Sequence, residues 1–323
     1  MRKMFLTMIS RRLLRIKVMQ VYYAQQGKGS IDLDSALNEL DRSTKATLDL
    51  YYTFLHLLLV FRDIENERIE ASKDKYFPTD EDRHPITTFS ENPILEKIAE
   101  QHNVKAHSKT VGFFWNEQLE LLKRIWAKVR QSAYYQKYLS EREAGTNASV
   151  KILTDILEKE IAVNIDIEQQ LEEKSIYWND DLEFVISTII RNIKAVKTTE
   201  QPFIPVTDVY QNEEDRDFAI QLLKFCLIYN KDFDEIIERH IINWEIERIA
   251  LTDRLLLHLA ISEFVYMPGI PARVSINEYI EISKYYSTMK SSMFLNGLLE
   301  KIYIDLKASG KAVKSGRGLI GDI

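Results

Sequence analysis

Arg11, Arg12 and Arg15 lie in one stretch with Tyr22 and Tyr23. A guanidinium group forks onto phosphate oxygens or stacks on a base, and a tyrosine ring is a platform for an unpaired base. The chemistry these residue types suggest is recognition of single-stranded RNA, without bond making. Their setting sharpens the point. Seven basic side chains (Arg2, Lys3, Arg11, Arg12, Arg15, Lys17, Lys28) and no acidic one occupy the first 31 residues of a chain of net charge -6, which leaves -13 for the rest. Such polarity in an acidic protein marks a local anion-binding element, not a generally cationic surface.

No residues suited to catalysis gather in the same way. The six histidines, His56, His84, His102, His107, His240 and His258, are scattered, and the one Glu-x-x-His, Glu81 to His84, falls in a polar, proline-flanked segment that reads as loop. Asp180-Asp181 and Glu172-Glu173 fit ordinary helix surfaces. The single cysteine, Cys226, excludes an intrachain disulfide and sits in the apolar run Leu222 to Ile228, as a buried, inert thiol would. Between Gly29 and Gly269 only Gly112 and Gly145 occur, so no glycine-rich cofactor turn is present. The expectation is a protein that is not an enzyme and has neither cofactor nor metal.

The elements that must carry the arginines are helices. Ser10 is a candidate N-cap, and Leu14, Val18, Val21 and Ala24 mark one apolar side of a helix to Gln26. At about 100° per residue, Arg11, Arg12, Arg15, Met19 and Tyr22 fall on the opposite side, with Tyr23 at its edge. The pattern alone favours the solvated face of an amphipathic helix. The absence of balancing Glu or Asp weakens that reading, because exposed helices ordinarily mix signs to gain i,i+4 pairs. Apolar spacings of three and four recur in Leu37 to Leu58, Leu119 to Val129 and Ile152 to Ile161, and no stretch alternates with period two. Breaks are expected at Gly27 to Gly29, Pro78 to Pro93, Glu143 to Asn147, Thr198 to Pro205 and Pro268 to Pro271.

The fold class is therefore all-α, and 323 residues with 45% hydrophobic content suffice for two packed regions. The longest apolar run, Tyr51 to Phe61, is about half the ~20 residues of a membrane span, and Ser10-Arg11-Arg12 interrupts the N-terminal run where a signal peptide needs continuity. A cytoplasmic protein is expected. Ala308 to Ile323 reads as a disordered tail whose Lys311, Lys314 and Arg317 are solvated, a brush against nucleic acid being the other reading.

Four blocks in the last third carry a family likeness: Asn243-Trp244-Glu245-Ile246-Glu247-Arg248-Ile249-Ala250, Asp253 to Phe264, Ile270 to Glu281 with Pro271, and Met293-Phe294-Leu295-Asn296-Gly297-Leu298-Leu299-Glu300-Lys301. In order and spacing they resemble the NusB transcription antitermination factors, as do Asp215 to Ala219 and Ser10 to Tyr23 upstream. The resemblance covers about residues 9–26 and 208–307 and implies a NusB-like helical bundle of two helical subdomains. The stretch of about 31–200 reads as an added helical insertion. The domain expectation is 1–200 for the N-terminal region, 201–307 for the NusB-like helical domain, and 308–323 for the tail.

The resemblance further implies binding of boxA-type single-stranded RNA on nascent ribosomal RNA transcripts, together with the ribosomal protein NusE, within the RNA polymerase elongation complex. Carried over by position, Arg11, Arg12, Arg15 and Tyr22, with Lys290, Ser291, Ser292 and Phe294, would face RNA, and Tyr23, Glu247 and Asp253 would face NusE. Phe294 lies one position off the core stripe Leu295, Leu298, Leu299, Ile302, Leu306, and stacking and peripheral packing both remain open for it. Ser275 and Glu278 have capping-box spacing, Ser291 or Ser292 is a candidate cap, and Gly297 suggests close helix approach. A related domain occurs fused to ribosomal RNA cytosine methyltransferases, but this chain lacks their glycine-rich turn and suitable cysteine. The competing reading is a protein-interaction scaffold whose working surface is the acidic insertion.

Overall fold

A computed structural model describes residues 9–26, 32–140, 145–241 and 246–320. Among them it contains fifteen α-helices and no strand. Helix α1 is Arg11–Gln25 and α2 is Leu33–Lys73. The expected break at Gly27 to Gly29 lies outside the described residues. The chain forms two compact units, one of residues 45–209 and one combining 9–44 with the segment from 210 onward.

The unit of residues 45–209 contains the greater part of α2 and α3 Asp80–Arg83, α4 Pro93–Glu100, α5 His102–Glu117, α6 Leu119–Gln131, α7 Ala133–Ser140, α8 Thr146–Ile156, α9 Ile165–Lys174 and α10 Leu182–Lys194. A π-helical turn, Leu157–Ile161, continues α8. Its core forms on the apolar stripe of α2, where Leu50, Phe54, Leu58 and Phe61 are fully buried. Trp126 lies between Phe61 and Phe89, with ring centroids at 5.4 and 4.5 Å. Buried indoles need an acceptor for their N–H, and here each has one: Trp115 donates to the Thr53 carbonyl at 2.7 Å, Trp126 to Glu65 at 2.8 Å, and Trp178 to the Ala46 carbonyl at 2.9 Å.

The other unit holds α1 and α11 Glu213–Ile228, α12 Asn230–His240, α13 Leu251–Tyr266, α14 Ala272–Tyr286 and α15 Met289–Ala308. Every residue of α13 from Leu255 to Phe264 is buried, as expected of a helix that is apolar all round and sits at the centre of a bundle. Helices α1, α11, α12, α14 and α15 all pack on it. Ser10 caps α1 as its sequence position suggests, accepting from the Leu13 amide at 3.2 Å, and the core stripe of α15 is buried as expected.

Four local expectations fail. Helix α14 begins at Ala272, after Pro271, so Ser275 is already inside it, and its hydroxyl donates to Glu263 instead of closing a capping box. Helix α15 begins at Met289, and Ser291 donates to Asp253 rather than capping. Gly297 faces open space, so close helix approach does not explain it. The tail, finally, is held against the bundle within the described residues. Gly310, at φ +71°, turns the chain after α15, and the buried Lys314 ammonium donates to the carbonyls of Glu263 at 2.9 Å and Met267 at 3.2 Å. These carbonyls lie at the C-terminal end of α13, where a cation also meets the negative end of the helix dipole.

Candidate nucleic-acid interface

Side chains on one turn of helix meet different surroundings when the rest of the fold is asymmetric, and the three arginines of α1 illustrate this. Arg11 and Arg12 keep 41% and 47% of their side chains exposed, whereas Arg15 keeps 3%. Arg11 donates to Asp215 at 2.7 Å and has Glu214 at 3.9 Å, both in the first turn of α11. Arg12 makes a two-pronged pair with Glu278 of α14, at 2.7 and 2.9 Å. The Glu278 hydrogen bond raises the Arg12 pKa.

Arg15 belongs to the core. It forks onto the fully buried Glu263 of α13 at 2.7 and 3.0 Å, and the same carboxylate accepts from Ser275 at 2.5 Å and Tyr279 at 2.6 Å. Burial works to raise the Glu263 pKa, and the Arg15 charge with these donors reverses that and holds it below the ordinary carboxylate value. Burial likewise works to lower the Arg15 pKa, and Glu263 carries it upward. The expected direct RNA contact at Arg15 is thereby corrected, because its donors already point into a closed network.

Tyr22 is corrected in the same way. It is fully buried, and its hydroxyl lies 2.7 Å from His258 Nδ1. The other ring nitrogen of His258 lies 2.9 Å from Asp234, which also accepts from Arg254 at 2.6 Å. The chain of bonds closes if Tyr22 donates to Nδ1 and Nε2–H donates to Asp234, so the imidazole is neutral. Burial lowers the His258 pKa against the opposing pull of Asp234. No face of Tyr22 is available to a base. Tyr23, one residue on, is 54% exposed. Met19 is buried and Ala24 exposed, both opposite to expectation, because α1 is surrounded by α11, α13 and α14 instead of resting on one neighbour.

Arg11, Arg12 and the edge of Arg15 line an open groove of about 990 Å³ together with Glu214, Glu278, the 269–271 turn and Arg317 of the tail. The residues of α15 read as RNA-facing are not among its walls. Lys290 is exposed, Ser292 and Phe294 are half-buried, and Ser291 is buried with its hydroxyl 2.7 Å from Asp253. Asp253 is itself buried, so its carboxylate joins α13 to α15 and is not open to a partner protein. Glu247 falls in the short 3-10 turn Ile246–Arg248, its side chain outside the described set.

Sequence reading missed Glu263, Glu278 and the placement of Arg317. Glu263 carried a usable signal, as the one acid within the apolar run Leu255 to Phe264, where a carboxylate demands a buried cation. Glu278 and Arg317 carried none. Among the described residues no group of His, Cys, Asp or Glu is arranged to hold a metal ion, and no helix is long and apolar enough to cross a membrane.

Comparison with known proteins agrees with this geometry. The NusB family profile matches residues 188–303, which take in all of α11 to α14 and most of α15. The transcription antitermination protein NusB of Salinibacter ruber is 42% identical over 144 residues, 44% of this chain and 90% of that protein. The protein of the same name from Desulfatibacillum aliphaticivorans is 35% identical over 133 residues, covering 41% and 89%. That from Chloroherpeton thalassium is 42% identical over 113 residues, covering 35% of this chain and 54% of its own length. No solved structure matches. With the family profile falling on α11 to α15, and with relatives 42% and 35% identical covered over 90% and 89% of their own lengths, the chain belongs to the NusB family.

Proposed function

We propose that this chain is a non-catalytic transcription antitermination factor that binds single-stranded, boxA-like RNA in the cytoplasm, joined by NusE within the RNA polymerase elongation complex. The observation that carries the reading is the pair of exposed guanidinium groups, Arg11 and Arg12, side by side on one groove wall. The Arg12–Glu278 pair is exposed, and such pairs contribute only about 0–1 kcal/mol, so a phosphate can take Arg12 over from Glu278 at little cost. Arg15 supports them from beneath by fixing α1 to α13. Exposed Lys290 extends the basic surface, with Ser292 and Phe294 beside it in sequence, and exposed Tyr23 is the residue left for NusE among those whose side chains are described.

The test is fluorescence anisotropy of a short boxA-like RNA and a scrambled RNA, with and without NusE, across several salt concentrations. Each phosphate contact on a single strand contributes about 0.7 to the log-log salt slope. Arg11→Ala/Arg12→Ala is expected to lower the slope by about 1.4, and Lys290→Asp to weaken binding. Equal affinity for both RNAs, unaffected by NusE and by the double variant, would reject the reading in favour of a scaffold built on the 45–209 unit.

A further inference from the structure

The seven N-terminal cations promise more free positive charge than the groove holds. Arg11 faces Asp215, Arg12 faces Glu278, and Arg15 is neutralised by Glu263. The remaining cation of the groove wall, Arg317, is exposed and has no ion-pair partner among the described residues.

Its position is fixed by the backbone around it. Lys314 ties the tail to the end of α13 through two carbonyls, and the Ser315 amide donates to the Pro268 carbonyl at 3.0 Å. Gly316, at φ +54°, takes a left-handed turn that favours glycine. Gly318 is pressed against the 268–269 backbone so closely that an added Cβ would lie 1.9 Å from the Pro268 oxygen. A segment that composition marks as disordered is thus strapped down across the 268–271 turn, with Arg317 between the two anchors that hold it.

We propose that Arg317, carried on this strap, is an additional phosphate-binding residue for the RNA strand held by Arg11 and Arg12, an inference that rests on the RNA-binding reading. Arg11 and Arg12 must exchange a carboxylate for a phosphate, whereas Arg317 has none to give up among the described residues and receives the phosphodiester directly. The contact is with the backbone of the nucleic acid and carries no base preference.

The experiment is the salt titration with the full-length protein and both RNAs. Arg317→Ala is expected to lower the log-log slope by about 0.7, so that between 50 and 200 mM salt the native affinity falls about 2.6-fold more than that of the variant. The effect should be equal on boxA-like and scrambled RNA. Arg317→Lys should keep the slope, since counterion release depends on the charge that neutralises the phosphate. Gly318→Ala keeps the charge but displaces the strap, and should reproduce the slope of Arg317→Ala without altering circular dichroism. A native slope in Arg317→Ala overturns the assignment, and a native slope in Gly318→Ala overturns the role of the strap. If Arg11→Ala/Arg12→Ala lowers the slope while Arg317→Ala does not, this inference alone fails; a native protein that binds neither RNA ends the RNA-binding reading with it.

Discussion

Replacing Arg15 by alanine isolates the feature that most separates this structure from a simple basic helix. The substitution leaves the Glu263 carboxylate fully buried with only the Ser275 and Tyr279 hydroxyls as donors. Removing one partner of a buried ion pair costs about 3–5 kcal/mol, because an uncompensated charge stays behind in a medium of low dielectric. With a urea m-value of about 2 kcal/mol/M, the unfolding midpoint of the unit holding α1 and α13 should fall by about 1.5–2.5 M. Urea titration followed by circular dichroism, with hydrogen exchange of the α13 amides to identify the unit, measures the shift. Arg15→Met/Glu263→Gln should recover most of the loss, since the buried charge is gone, one hydroxyl keeps an acceptor in the amide oxygen and the other can accept from the amide N–H. The pH dependence has a definite sign. In the native protein Glu263 is held below its ordinary value, so its contribution is present above about pH 4.3 and is lost as pH falls through the folded pKa. Without Arg15, burial raises the Glu263 pKa, and the penalty lifts as the carboxylate takes up a proton, so the gap between variant and native narrows from neutral pH toward about pH 4. A cost under about 1 kcal/mol, or a double variant no more stable than Arg15→Ala, would refute the buried-pair account.

Further outcomes follow from neighbouring groups. Tyr22→Phe should cost about 1–2 kcal/mol in thermal or urea unfolding by leaving His258 Nδ1 without a donor, while leaving the RNA salt slope unchanged; a smaller slope would return Tyr22 to the RNA surface. His258 is held below its ordinary value of 6.5 by burial, so the unfolded state binds the proton more readily, and its share of stability is lost as pH falls below about 6.5. The stability difference between native protein and His258→Gln should therefore shrink from pH 7 to pH 5, and a flat difference would contradict the neutral, buried imidazole. Cys226 is fully buried and its thiol pKa is pushed up, so a thiol reagent should label it only at the rate of unfolding, and rapid labelling of the native protein would contradict its burial.

Much of this protein was determined by local pattern. Helical periodicity, the Ser10 cap, the core stripe of α15, the burial of Cys226 and the concentration of cations before residue 32 depend on residues a few positions apart, and a sequence displays those spacings directly. What tertiary structure alone decided is where each charge ends. Arg11, Arg12 and Arg15 are one residue type on one helix, yet two are exposed and the third is buried, because Glu263 arrives from 248 positions away. The tail shows the converse. Its glycines and lysines have the composition of a free end, but Lys314 finds carbonyls at the end of α13 and Gly318 fits where no side chain can, so Arg317 comes to the groove. Charge and glycine are permissive locally, and their roles are fixed by partners brought together only when the helices pack.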